Sequence, residues 1–304
     1  SFKSKKITLN LNISMILNLI NVEYYCIISK FYKTEDFMYK LLALDLDGTL
    51  LRDDSTISDR TKKYISLARN NGVKIVLSTG RPLQGVMQYV EELSLLGDDE
   101  YVLAYNGCVV YNTSTLNAIV DNSLKGTDLK EIFNLAKENS LYVHAFTKDC
   151  CYASHKTIYS DCETLYNKID VKFVDFINDI DDEDNIIKII LIEEESKLDS
   201  FYKKIPKTFF DKYYIIRSLP HMLEFIKRGS SKALGLKALI DHIGIKRSEV
   251  IACGDAPNDL DMIQFAKIGV AMGNSHPNVK SASDFITSSN MDDGIVTVIK
   301  KYIL

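Results

Sequence analysis

The sequence predicts an α/β fold in which a parallel-sheet core carries an inserted α+β unit, and three observations lead there. From Met38 onward, short apolar runs alternate with amphipathic helical stretches, the rhythm of a parallel sheet flanked by helices. After about Asn122 that rhythm gives way to a segment with few glycines, many tyrosines and acidic runs. After Ile226 it returns. A chain of 304 residues, 46% apolar and 26% charged, suits about two domains with a sizeable core.

Leu41–Leu46 is a nearly continuous apolar run, as expected of a strand buried on both faces. It ends in Asp45-Leu46-Asp47-Gly48-Thr49. Ser58 supplies N-cap chemistry for a helix that stops at Gly72. Val73–Leu77 reads as a second strand, ending in Ser78-Thr79-Gly80-Arg81, and Pro82 starts another helix. Tyr101–Tyr105 is a third strand, ending in Asn106-Gly107. In the middle segment Leu124–Asn139 reads as a helix and Ile186–Ile192 as a strand. The acidic runs around them (Asp179, Asp181–Asp184, Glu193–Glu195) read as solvated loops or faces. In the last segment Leu236, Leu239, Ile240 and Ile243 mark one face of a helix over Ser231–Ile243, stopped by Gly244. Val250–Cys253 is a strand that runs into Gly254-Asp255-Ala256-Pro257-Asn258-Asp259. Ile268–Met272 and Phe285–Thr287 are strand-like, and Ile295–Ile303 closes the chain as an amphipathic helix. No internal repeat or low-complexity segment interrupts this order.

A formal net charge of −4 argues against nucleic acid or an anionic membrane as partner, since either would want a basic face. Lys3, Lys5 and Lys6 precede a moderately apolar stretch from Ile7 to Ile28, a faint likeness to a secretory signal. Asn10, Asn12, Asn18, Asn21 and Glu23 interrupt it, so no transmembrane helix is expected, and no small-residue cleavage site stands out. Residues 1–37 therefore read as an extension of unclear role ahead of a fold that begins near Met38. Cys26, Cys108, Cys150, Cys151, Cys162 and Cys253 form no CxxC pair and no metal-ligand spacing with histidine, which suits a reducing, cytoplasmic setting. Cys108 and Cys253, in apolar runs, read as buried inert thiols.

Three strand ends carry acidic or hydroxyl clusters, and open α/β sheets bind ligands beyond the carboxyl ends of their strands. Asp45 and Asp47, at i and i+2 of an extended segment, point into one cleft. Two close carboxylates repel unless a cation compensates them or one takes a proton. Either solution is useful, as a divalent-cation site or as a general acid, although the stretch alone could be a decorated turn. Asp255 and Asp259 add carboxylates, and Mg²⁺ favours a few carboxylates with water and phosphate oxygens. The plainer reading, an N-cap by Asp255 or Asn258, explains one residue and not the group. Thr79-Gly80-Arg81 offers a hydroxyl, backbone amides and a guanidinium, all good phosphate donors. Lys232 lies in the first turn of a helix, where a cation opposes the macrodipole. An anion nearby would explain it; taken singly it reads as a surface lysine.

These pieces converge on phosphoryl transfer. With Asp45-Leu46-Asp47-Gly48-Thr49, Thr79-Gly80-Arg81, Lys232 and Gly254-Asp255…Asn258-Asp259 in this order and at these separations, residues 38–304 resemble the haloacid dehalogenase superfamily. The likeness is to its Cof-type branch (subfamily IIB, with a large α/β cap on a Rossmann-like core). It extends to Asn106-Gly107 and Gly269–Asn274, and is similar to bacterial sugar-phosphate phosphatases of that branch. The resemblance implies a core over 38–121 and 227–304 with the cap inserted over 122–226. It implies Asp45 as the nucleophile that becomes an aspartyl-phosphate, Asp47 as acid and base, Thr79 as a hydrogen-bond donor to the phosphoryl group and Lys232 as a charge clamp. Gly80, Arg81, Asn106 and Asn258 fall to phosphate or substrate binding. Mg²⁺ would be held by Asp45, the carbonyl of Asp47 and Asp255, with Asp259 in support. Ala256-Pro257 departs from the small, polar or acidic residues relatives often carry there, which puts the loop's fine contacts in doubt.

Asp47 argues for phosphate-ester chemistry, because dehalogenases of the superfamily lack the second aspartate. The expected substrate is a small phosphorylated metabolite, with the cap choosing the leaving group and His144, His221 and Glu224 as candidate contacts. A phosphomutase on hexose phosphates, or a catalytically idle sugar-phosphate sensor, stays open at this point. Oligomeric state is not readable.

Overall fold

The structure, a computed structural model, describes residues 39–304; the expected extension over 1–37 and Cys26 lie outside the described residues. The chain opens with β1 (Leu41–Leu44), α1 (Asp59–Asn70), β2 (Lys74–Ser78), α2 (Leu83–Glu92) and β3 (Tyr101–Ala104). A turn over Tyr105–Gly107 leads into β4 (Val109–Asn112) and β5 (Ala118–Asp121). There follow β6 (Leu124–Lys125), α3 (Gly126–Glu138), β7 (Tyr142–Phe146), β8 (Cys150–Ala153), α4 (Ile158–Tyr166), β9 (Asp170–Phe173), β10 (Asn185–Ile186) and β11 (Lys188–Ile192). Next come α5 (Glu195–Tyr202), α6 (Lys207–Lys212), β12 (Tyr213–Leu219) and β13 (Met222–Lys227). The chain closes through α7 (Lys232–Ile243), β14 (Val250–Gly254), α8 (Leu260–Phe265), β15 (Ile268–Ala271), α9 (Pro277–Ala282), β16 (Phe285–Ile286) and α10 (Gly294–Tyr302).

Eight strands form one sheet in the order β16-β15-β14-β1-β2-β3-β4-β5. It is parallel from β16 to β3, and β4 and β5 extend it antiparallel, with β5 at the edge. Strand alternation sends Leu42, Leu44, Ile75 and Leu77 to the face packed by Ile65, Val86, Ile295 and Ile299 of α1, α2 and α10. Leu41, Ala43, Val76 and Ala252 face Leu236, Leu239, Ile240 and Met262 of α7 and α8. Covering on both faces is why these strands read as unbroken apolar runs.

Apart from β6 and β10, which pair with each other, the strands between β5 and β14 build a second sheet, β12-β13-β11-β7-β8-β9, antiparallel except for β8 and β9. One face, through Val143, Ala145, Ile189, Leu191, Leu223 and Phe225, packs on α3, α5 and α6. Phe146, Ile190 and Ile192 on the other face join the core of the first sheet. This is a parallel-sheet core with an α+β cap, the fold class the sequence predicts.

Local corrections have physical causes. The helix expected over Leu124–Asn139 starts two residues late, because Leu124 and Lys125 pair with β10. Asp128 then closes the first turn by accepting from Lys125 N at 2.8 Å. The strand expected over Ile186–Ile192 is broken at Ile187, where the chain passes from the small β6–β10 ladder to the larger sheet. The β4–β5 hairpin was not expected at all. Ser58 does cap α1, its hydroxyl accepting from Thr61 N at 3.0 Å, and Gly244 ends α7 in the left-handed region. Cys108 and Cys253 are fully buried, and burial pushes the thiols up, that of Cys108 to about 11.

The turn after β3 seats the start of α7. Gly107 has φ +76°, and a Cβ there would meet Ser231 O at 2.4 Å. Gly107→Ala therefore adds a strained backbone to an overlap with backbone that cannot swing away. It is expected to cost about 3 kcal/mol or more, read as a lower midpoint in urea unfolding. A loss below about 1 kcal/mol would mean that the α7 terminus is free to shift.

Candidate active site

The strand order reverses at β1, which has β2 on one side and β14 on the other, so loops leaving β1 and β14 diverge around a crevice. Leu44 lies opposite Cys253, and Asp45 N donates to Cys253 O at 3.0 Å. This register places Asp45 beside the loop that carries Asp255. The backbone at Gly48 passes so close that a Cβ would meet Asp255 Oδ2 at 2.5 Å. Thr49 Oγ1 donates to Asp255 Oδ1 at 2.8 Å, and Asn274 Nδ2 donates to Gly48 O at 2.7 Å. The turn after β1 is thus a clamp on the loop after β14.

Lys232 is wholly buried, against its reading as a surface lysine. Its Nζ donates to Asp45 Oδ1 and to Asp259 Oδ1, each at 2.5 Å. The other oxygen of Asp259 accepts from Asp255 N and Ala256 N at 3.0 Å. Neither Asp255 nor Asn258 is the helix cap; Asp259, third residue of the short turn over Pro257–Asp259, instead reaches back to the backbone ahead of it. Both its oxygens are spoken for, one by Lys232 and one by its own loop.

Asp45, Asp255 and Asp259 each bring an oxygen within 4.8 Å of the others. One ammonium faces three carboxylates, and the electrostatics register the deficit. Burial, with the charge of Asp259 added, pushes Asp45 well above the usual carboxylate range although Lys232 pulls it back. Burial also raises Asp255 to about 6. Lys232 stays protonated because Asp259 and Asp45 outweigh its own desolvation. An all-oxygen donor set with surplus buried negative charge fits a hard divalent cation.

Asp47 differs from Asp45 in setting, its side chain 57% exposed against 7%. Arg81 engages both its oxygens, with Nε at 2.9 Å and an Nη at 2.5 Å. The guanidinium assigned from sequence to phosphate thus rests on Asp47 here. Thr79 is buried at the end of β2, its hydroxyl accepting from Arg81 N at 3.1 Å. Asn106, at φ +57°, accepts on Oδ1 from Asn258 Nδ2 at 3.0 Å. Asn tolerates that left-handed backbone better than most residues. Asp45, Asp47, Gly80, Arg81, Asn106 and Asn258 line a common cleft of about 450 Å³.

The roof of this cleft comes from the second sheet. Glu224 lines it, as expected. His144 and His221 do not: His144 is buried behind the lining with Nδ1 3.4 Å from Glu163 Oε1, and His221 stacks on Tyr159. Sequence reasoning missed Lys188 and Glu163, both buried and both lining the cleft. Hydrogen bonds from His144 and Asn167 outweigh desolvation and hold Glu163 below its usual range. A lysine inside the apolar run Ile186–Ile192 was a signal for the first, since lysine is rarely buried without a partner. The helical Glu163 offered none.

A family model described as haloacid dehalogenase-like hydrolase matches residues 42–299. The Bacillus subtilis protein YxeH is 35% identical over 88% of this chain and 99% of its own length. The 5-amino-6-(5-phospho-D-ribitylamino)uracil phosphatase YcsE of Bacillus subtilis is 32% identical over 89% of this chain and 98% of its own. A haloacid dehalogenase-like hydrolase from Bacteroides thetaiotaomicron superposes with a TM-score of 0.79 at 32% identity, covering 86% of this chain and 99% of that one.

Proposed function

We infer that this chain, which belongs to the haloacid dehalogenase-like hydrolase family and is a phosphatase of it, hydrolyses sugar phosphates or similar small phosphate monoesters through an aspartyl-phosphate. The observation that carries the reading is the meeting of Asp45, Lys232 and Asp255 at the reversal of strand order, under a roof that closes the same cleft.

In the first step a carboxylate oxygen of Asp45 attacks phosphorus, the bond from phosphorus to the leaving oxygen breaks, and Asp47 protonates that oxygen. In the second step water attacks the aspartyl-phosphate and gives its proton to Asp47, which releases inorganic phosphate and restores Asp45. Lys232 offsets charge on Asp45 and on the transferring group, and Thr79 hydrogen-bonds that group. Gly80, Arg81, Asn106 and Asn258 hold the phosphate end. An arriving phosphate competes with Asp47 for Arg81, which would free Asp47 for proton transfer.

Mg²⁺ bound by Asp45, the Asp47 carbonyl and Asp255, with Asp259 beside them, would supply Lewis-acid polarisation of a phosphoryl oxygen. The residues between about 122 and 226 act as the cap, shedding bulk water and contacting the leaving group. The free thiols of Cys108, Cys150, Cys151, Cys162 and Cys253 support a reducing, cytoplasmic setting. Among the described residues no helix is long and apolar enough to cross a membrane.

The test is phosphate release from a panel of sugar phosphates and a ribitylaminouracil phosphate, with Mg²⁺ and with a chelator. Release that needs Mg²⁺ and stops with the chelator is expected. Undiminished release in chelator would overturn the cation site. An isomeric sugar phosphate in place of free phosphate would make the chain a mutase.

A further inference from the structure

The cleft face of the second sheet carries an unexplained pair of charges. Lys188 on β11 and Glu224 on β13 are both 5% exposed, in strands whose other residues are Ile, Leu, Met and Phe apart from the exposed Lys227 that ends β13. Lys188 Nζ stands 3.3 Å from Glu224 Oε2, yet that oxygen is buried without a hydrogen-bond partner. The ammonium otherwise lies over the rings of Phe146, at 5.1 Å, and of Tyr105, at 5.9 Å, in the turn just before Asn106. A buried pair with such incomplete hydrogen bonding does not explain itself through stability, because apolar residues of similar size serve a core as well or better. Buried polar groups left unsatisfied beside a cleft point to a partner that enters it.

We propose that Lys188 and Glu224 are the specificity-determining residues of the cleft, reading neighbouring hydroxyls of an uncharged polyol leaving group and rejecting leaving groups that carry a second anion. Lys188 donates and Glu224 accepts, side by side, as two adjacent hydroxyls require. The charge balance supplies the rejection. Glu163, held by His144 and by Asn167 Nδ2 at 2.6 Å, lines the same roof, so two carboxylates face one ammonium there. A second phosphate or a carboxylate would meet Glu224 and Glu163 in a desolvated space with Lys188 already shared. This inference rests on the phosphatase reading and narrows its substrate class.

The experiment uses the full chain with Mg²⁺ and matched esters: glucose 6-phosphate against 6-phosphogluconate, and fructose 6-phosphate against fructose 1,6-bisphosphate, with p-nitrophenyl phosphate as an ester lacking hydroxyls. The wild type is expected to favour the member of each pair whose only anionic group is the transferred phosphate by about tenfold or more in kcat/KM. Glu224→Gln should shrink that gap severalfold while raising KM for the sugar monophosphates. Lys188→Met should cost the sugar monophosphates about 10- to 100-fold more than p-nitrophenyl phosphate. Both variants keep the shape of the side chain, and melting curves check that they fold. Equal losses on all esters, or a wild-type preference for the members with a second anionic group, would overturn the inference while leaving the phosphatase reading intact. A wild type inactive on every ester, p-nitrophenyl phosphate included, would overturn both.

Discussion

Asp45→Asn is expected to remove phosphate release by about four orders of magnitude or more, the scale seen when a covalent nucleophile is deleted, while the fold survives. Asparagine keeps the shape of a side chain that is 5% exposed and keeps an oxygen for the Lys232 Nζ. What it loses is the nucleophile and one of the oxygens grouped with Asp255 and Asp259. The two losses part in a stability measurement. Burial raises the folded carboxyl of Asp45 above its unfolded value, so ionised Asp45 costs stability once the pH exceeds the unfolded value. Asparagine removes that cost. In chelator at neutral pH the variant should melt at or above the wild type, and the difference should close as pH falls through the ordinary carboxylate range, where the wild type is protonated folded and unfolded. Mg²⁺ should then raise the melting temperature of the wild type more than that of the variant. Substantial turnover by Asp45→Asn would remove it from the nucleophile's role.

How much of this arrangement could be read in advance depends on the range of the interaction. Asp45 and Asp255 were legible because each follows an apolar run directly, and in an open α/β sheet that position alone names the crevice. The α7 cap at Ser231 and its stop at Gly244 are local too, and the expected bounds are within a residue of those observed. The burial of Lys232 was not legible. It depends on the Gly107 turn fitting under Ser231, across more than a hundred residues of chain. The roof was harder still. Its strands are short, and whether Lys188 faces the cleft or the α3 side is decided by the register of β11 against β7 and β13. A one-residue slip would reverse it. Of the polar residues singled out there, Glu224 lies in the cleft; His144 and His221 are held by Glu163 and Tyr159, partners that no local pattern announces.

Lys232→Met should damage the fold severely, because it deletes the ammonium that faces the buried carboxylates of Asp45 and Asp259. The Lys232 stem would be replaced by a side chain of similar length, so packing is largely kept. Asp45 Oδ1 and Asp259 Oδ1 would each lose a 2.5 Å charged hydrogen bond, that of Asp259 at a wholly buried side chain. Breaking one side of such a buried pairing costs about 3–5 kcal/mol, and the loss of the clamp on the transferring group should cut turnover by about a thousandfold. A double variant separates these effects. Adding Asp259→Asn removes one of the orphaned carboxylates and should restore part of the lost stability, a non-additive outcome expected of groups in direct contact. It should restore no turnover, because charge on Asp45 and on the phosphoryl group would still lack its counter-ion. Asp259→Asn alone should also cost stability, since Asp259 Oδ2 accepts from Asp255 N and Ala256 N and an amide holds those donors less tightly. Strictly additive stability losses would mean that Lys232 and Asp259 do not compensate one another, and the charge balance drawn for the cluster would then be wrong.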